Sequence, residues 1–192
     1  MKKKILMIVG IIFIITGCTS IPGQRDRFTI HGMVYDHSNR PVGNYVISVD
    51  GMAQGITDIG GRFTLENVEL GTRLVSGHGK GYANFNDTIE IVDNRQVLYI
   101  RVPTITKLLQ EALSYGKAGR IEEALSCVED VLASDEKSRE GLFGKAVLLY
   151  LAGQSQACLK VLESMDKGEG QELLKQLKEN CETVMRQEGT RP

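Results

Sequence analysis

The chain has 192 residues, with 23 Lys and Arg against 24 Asp and Glu and a formal net charge of −1. That balance gives no electrostatic case for nucleic acid or anionic lipid as a partner. The length allows one or two small domains with modest cores, and no deep multi-substrate active site.

Lys2, Lys3 and Lys4 open the chain, an apolar run occupies residues 5–15, and small residues precede Cys18. Basic residues, an apolar stretch and a small-residue cleavage site are the layout of a secretory signal peptide. The run is 11 residues long, whereas a spanning helix needs roughly 20. Ile15-Thr16-Gly17-Cys18 resembles the lipobox of bacterial lipoproteins. The resemblance implies cleavage before Cys18, thioether diacylation of its sulfur and acylation of the new amino group. Residues 1–17 are therefore expected to be a lipoprotein signal peptide, and residues 18–26 the lipidated Cys and a short tether. Each buried CH₂ contributes about 0.8 kcal/mol, so two or three acyl chains hold a membrane far more firmly than one. Cleavage removes three Lys and no acid, leaving a formal charge of −4. Residues 19–26 span at most about 25–30 Å when extended, which keeps the folded part near its membrane.

Beyond the tether the composition is rich in Gly, Val, Ile and Thr up to Pro103, then rich in Leu, Ala, Glu and Lys. The apolar period changes there from two to about 3.6, marking a domain boundary at Pro103-Thr104, with Thr104 or Thr106 as a helix cap. Short strands are predicted at residues 28–35, 45–49, 56–57, 62–65, 72–76, 87–92 and 96–102, with a turn cluster at 36–41. Seven such strands suggest a sandwich. Thr57-Asp58-Ile59-Gly60-Gly61-Arg62-Phe63 reads as a tight hairpin that turns Phe63 into the core.

The series Gly32-Met33-Val34-Tyr35-Asp36, Pro41-Val42-Gly43-Asn44, the stretch from Thr57 to Phe63, Val68-Glu69-Leu70-Gly71 and Gly81-Tyr82 resembles the carboxypeptidase regulatory-like domain. It covers residues 27–103. The resemblance implies a seven-stranded, transthyretin-like β-sandwich serving as a structural or recognition module. Asn44 departs from the family, which favours Ala there.

Nothing in the chain supports an enzyme. A metallocarboxypeptidase zinc site needs His and Glu three apart plus a distant His. The residues three beyond His31, His37 and His78 are Val34, Arg40 and Gly81. Gly77-His78-Gly79-Lys80-Gly81 lacks the Lys-Ser/Thr ending of a phosphate loop and is not followed by a helix. No catalytic residue, metal, cofactor or small-molecule substrate is expected, apart from the covalent lipid on Cys18.

In the second half an offset of 34 aligns Leu108 with Leu142, Ala112 with Ala146, Gly119 with Gly153, Ala124 with Cys158 and Val128 with Leu162. This resembles the tetratricopeptide repeat (TPR). The resemblance implies two helical-hairpin repeats over residues 104–168, with Glu111, Lys145, Glu136 and Gly170 as departures. Two repeats cannot bury their own apolar faces. Residues 169–187 are expected to close the stack through Leu173, Leu177, Cys181 and Val184, with Leu174 and Met185 alongside, and the β-domain to cover the other end. Residues 188–192 are expected to be a loose tail.

The repeat resemblance also implies a partner groove lined by Leu109, Leu113 and Lys117 from the first repeat and by Phe143, Val147 and Tyr150 from the second. These mostly apolar residues disfavour capture of a C-terminal carboxylate. They fit either a hydrophobic partner surface or an internal contact with the β-domain, and the internal contact is favoured because apolar stripes are more often core than site. With Cys18 lipidated, Cys127, Cys158 and Cys181 remain, read as small buried hydrophobes, with no pairing assigned among them.

The expectation is a two-domain, β then α, non-catalytic lipoprotein of the bacterial cell envelope. It would bind or scaffold a protein partner through its repeats, with the β-sandwich as spacer. The alternative makes the β-sandwich a binder of glycan or cell-wall ligand and the helices an oligomer interface. The absence of Trp weighs against that alternative.

Overall fold

Among the described residues seven strands come first: β1 (Arg27–Asp36), β2 (Val46–Val49), β3 (Ala53–Ile56), β4 (Arg62–Glu69), β5 (Gly71–His78), β6 (Phe85–Ile91) and β7 (Val97–Val102). Five helices follow: α1 (Ile105–Lys117), α2 (Ile121–Ser134), α3 (Arg139–Leu151), α4 (Ser155–Ser164) and α5 (Gln171–Gly189). The structure is a computed structural model that describes residues 27–165 and 171–189. The signal peptide, Cys18 and the tether lie outside the described residues. No described helix is long and apolar enough to cross a membrane.

The strands form two sheets, ordered β4-β1-β7 and β3-β2-β5-β6. Alternation places one face of each inward: Leu98, Ile100 and Val102 of β7 are buried while Val97 and Tyr99 face out. Ile30 and Val34 of β1, Ile47 of β2, Phe63 and Leu65 of β4 and Val75 of β5 join them in a single core shared by both sheets. β1 pairs antiparallel with β4 but parallel with β7, from His31 opposite Val97 to Asp36 opposite Val102. A parallel pair runs in one direction, so the chain leaves β7 at the end of the sheet farthest from Arg27. The ten residues of β1 put those ends about 30 Å apart at the usual rise per residue.

Two turns differ from the sequence reading. β3 and β4 lie in different sheets, so the stretch from Thr57 to Phe63 is a crossover and not a hairpin. The loop closes on itself. The Asp58 carboxylate accepts from the N–H groups of Gly60 and Arg62, each at 2.8 Å, and Gly61, at φ 74°, offers its carbonyl to the N–H of Val34 at 2.8 Å. That last bond ties the exit to β1 and carries the chain into the other sheet. Phe63 does enter the core. The true hairpin joins β2 to β3 through Asp50 and Gly51, both with positive φ as a primed turn requires, with the Met52 N–H donating to the Val49 carbonyl at 3.0 Å.

Segment 81–84, between β5 and β6, fastens strands to helices. The N–H of Ile105 donates to the Gly81 carbonyl at 3.0 Å and that of Ala83 to the Pro103 carbonyl at 2.9 Å. The buried Tyr45 hydroxyl donates to the Ala83 carbonyl at 2.7 Å. Asn84 reaches the end of α2, its N–H on the Ser134 hydroxyl and its side chain on the Ala133 carbonyl, both at 2.8 Å. Ala83, Leu108 and Val131 form a buried cluster at this joint.

α1 and α3 begin 34 residues apart, as do α2 and α4. The two hairpins repeat each other down to their caps: the Thr104 hydroxyl accepts from Lys107 N–H, and the Ser138 hydroxyl from Gly141 N–H. Gly119 and Gly153 follow the first helix of each at φ 73° and 74°. Ala112, Ala124, Ala146 and Cys158 are buried where the helices cross. α5 closes the stack through buried Leu177 and Cys181. Leu173 and Met185, expected on that face, are exposed; each lies one helical turn beyond the buried pair Leu177 and Cys181, toward an end of α5. The helix also runs on to Gly189, past the point where a loose tail was expected.

The turn after β1 depends on the ionised Asp36 side chain. Its carboxylate accepts from the N–H groups of Ser38 at 2.7 Å and Arg40 at 3.0 Å, and pairs with the Arg40 guanidinium at 2.8 Å. Burial alone raises a carboxyl pKa, but these hydrogen bonds and the Arg40 charge outweigh it and hold Asp36 below its usual value. A depressed folded-state pKa gives stability that is present above the ordinary carboxylate range and is lost as pH falls through the lowered value. Asp36→Asn is expected to cost about 1–3 kcal/mol at pH 7. Urea denaturation at falling pH is expected to show the gap between variant and parent closing below the usual carboxylate pKa.

Candidate interaction groove

α1 and α3 lie side by side, with α2 behind them, and small residues let them approach. A Cβ on Gly116 would stand 3.2 Å from Leu148, and one on Gly144 3.5 Å from Val128. The surface left between the helices is a groove of about 360 Å³. From α1 it takes residues at helical spacing, Leu109, Leu113 and Lys117, with Ala112 and Gly116 between them; from α3 it takes Phe143, Val147 and Leu151, with Gly144 and Leu148. Val128 of α2 forms the floor. Among the described residues of the lining, Lys117 is the single charged one. Leu113 and Leu151 stand 59% and 57% exposed at its edges.

Five of the six residues expected to share a groove line this one: Leu109, Leu113, Lys117, Phe143 and Val147. Tyr150 does not. It packs with Ala146, Leu149 and Cys158 on the side of α3 that faces α4 and α5. Its place is taken by Leu151, and the offset that aligns Leu109 with Phe143 and Leu113 with Val147 aligns Lys117 with Leu151. Strict use of the repeat would have found it. The internal contact with the β-domain, favoured from sequence, is corrected by the same lining, which contains no strand residue. The β-domain meets the helices at segment 81–84, against Leu108 and Val131, on another face.

Elsewhere the chemistry is quiet. Among the described residues no three His, Cys, Asp or Glu side chains are placed to hold a metal. His31 shares a hydrogen bond with the Thr64 hydroxyl at 3.1 Å; His37 and His78 are exposed, His78 as the last residue of β5. Burial first, and then the charges of Glu111 and Asp130, push up the Cys127 thiol, which makes it a poor nucleophile. A polar cavity of about 580 Å³ on the β-domain is lined by Arg27, Asp50, Glu69 and Arg73 among others. Arg73 there is bound to Asp50 at 3.1 Å and to Glu69 at 3.0 Å. Among the described residues its lining holds no aromatic side chain on which a sugar could stack.

No protein-family model matches the chain, and no curated protein matches it. Several solved structures resemble part of it. A C-terminal interface mutant of a type II cohesin–X-dockerin complex from Acetivibrio cellulolyticus is 17% identical, covering 47% of this chain and 73% of that one, with a TM-score of 0.36. The Bacillus anthracis TIE protein is 17% identical over 41% of this chain and 16% of its own, with a TM-score of 0.35. The major pilin subunit of Bacillus cereus is 16% identical over 41% of this chain and 29% of its own, with a TM-score of 0.32.

A groove open to water leaves its lips unnecessary for folding. Leu113→Ser is expected to change stability by no more than about 0.5 kcal/mol. Ala112→Leu, one position away and buried, is expected to cost about 1–3 kcal/mol by overpacking. Chemical denaturation of the two variants measures both.

Proposed function

We propose that the chain is a non-catalytic, lipid-anchored lipoprotein of the bacterial cell envelope that holds a protein partner in the groove between α1 and α3. The reading takes the helical hairpins as TPR repeats and the strands as a carboxypeptidase regulatory-like, transthyretin-like sandwich. One observation carries it: an apolar groove with two exposed leucines at its lips, uncovered by any described residue. A contiguous apolar surface of that kind on an exported domain is characteristic of an interaction site.

The parallel β1–β7 pair supports the spacer role. The tether enters at Arg27, and the helices leave from the opposite end of the same sheet. A Cys18 anchor would therefore hold the groove outward from the bilayer, by the length of the sandwich. The partner chemistry that fits is an apolar or amphipathic segment, such as one face of a helix laid along i, i+4 contacts. The polar, ion-paired cavity of the β-domain does not favour the glycan alternative.

Two experiments test the reading. Full-length protein extracted from membranes in detergent is expected to co-purify a partner that is lost from a Leu113→Asp/Leu151→Asp variant; equal recovery from the folded variant contradicts the groove. Growth in labelled palmitate is expected to label the parent chain and not Cys18→Ser. Label retained on that variant removes the anchor from the proposal.

A further inference from the structure

Cys158 of α4 and Cys181 of α5 are both fully buried, each 0% exposed, and their sulfurs lie 3.1 Å apart as free thiols. A disulfide sulfur pair sits at about 2.05 Å, so roughly 1 Å of side-chain movement separates contact from bond. Around them are Ala146, Leu149 and Leu177, and among the described residues no metal-binding cluster gives the thiols another task. The residues are 23 apart in sequence, and they link the last two helices of the stack at the place where α5 closes it. A cross-link there restricts the unfolded chain and holds the closing helix against its neighbour.

We propose that Cys158 and Cys181 form a disulfide that fastens α5 to the α3–α4 hairpin, leaving Cys127 as a free thiol. The inference rests on the exported address, since disulfides form and persist outside the cytosol. Two S–H bonds break and one S–S bond forms. The two electrons and two protons pass to the disulfide of a thiol–disulfide exchange protein of the envelope, whose own S–S bond becomes a dithiol through a mixed disulfide with one of the two cysteines.

The timing follows from burial. In the folded chain burial, and then the neighbouring Cys181 thiol, push Cys158 up to about 12, so the thiolate needed for exchange is scarce. Exchange therefore takes place while α5 is still undocked, and docking then shields the finished bond from reductants.

Counting thiols on the full-length chain, acid-quenched from cells and denatured before labelling with a polyethylene-glycol maleimide, tests both the bond and the address. Before reduction only Cys127 is expected to react; after reduction Cys158 and Cys181 react as well, while lipidated Cys18 does not. A Cys18 adduct after reduction marks failure of the anchor reading. Adducts at Cys158 and Cys181 before reduction, on a chain whose Cys18 is blocked, overturn the cross-link. Refolding the reduced chain with glutathione disulfide separates geometry from address. A linked peptide containing Cys158 and Cys181 is expected by mass spectrometry, and free thiols at both positions overturn the proposal whatever Cys18 carries.

Discussion

The parallel pairing of β1 with β7 is the constraint on which the rest of the molecule depends. Antiparallel neighbours return a chain to the end where it began, whereas a parallel pair needs a long crossover and delivers the chain to the far end. Here the crossover runs through β2 to β6: β2, β3, β5 and β6 build the second sheet, β4 joins the first, and the core closes between the two. The same pairing gives the sandwich a direction, with Arg27 at one end and Val102, followed directly by the helices, at the other.

What keeps the helices aligned with that direction is a small set of bonds around segment 81–84. Backbone groups of Gly81 and Ala83 pair with Ile105 and Pro103, while Tyr45 braces the segment from the β core and Asn84 grips the end of α2. The joint uses the first hairpin's outer face near Leu108 and Val131. It leaves the α1–α3 face free, so a hydrogen-bonded attachment and an open groove coexist on one short helical stack.

Much of this was legible in the sequence, because the strongest signals are periodic. Alternation marked the seven strands, and the 34-residue offset located both helical hairpins and their glycine turns; the groove residues came from the resemblance to the repeat family, and five of the six share one groove. The misreadings come from places where a local pattern has two outcomes. Asp58 and Gly61 do make a tight loop, yet whether the next strand folds back or crosses to the other sheet is decided by the Val34 to Gly61 bond, a contact between distant residues. The Asp50-Gly51 pair held the true hairpin signal and was hidden by the short β3. Tyr150 was misplaced by one position within an α-helix, enough to move it from the groove to the α4–α5 side. The favoured burial of the apolar stripe failed for a different reason. An apolar helix face looks alike in sequence whether a neighbouring domain covers it or not, and here the domain docks elsewhere.

The functional reading joins an anchored end, a spacer of fixed direction and an apolar groove at the far end. Its central claim is that the groove between α1 and α3 is where another protein sits. Photo-crosslinking in living cells, with a photoreactive amino acid at Leu113, Leu151 or the outward-facing Tyr99 of β7, tests this most directly. Crosslinks to one common protein from Leu113 and Leu151, and not from Tyr99, are the predicted result. No crosslink from either leucine, or the same product from all three positions, would contradict it.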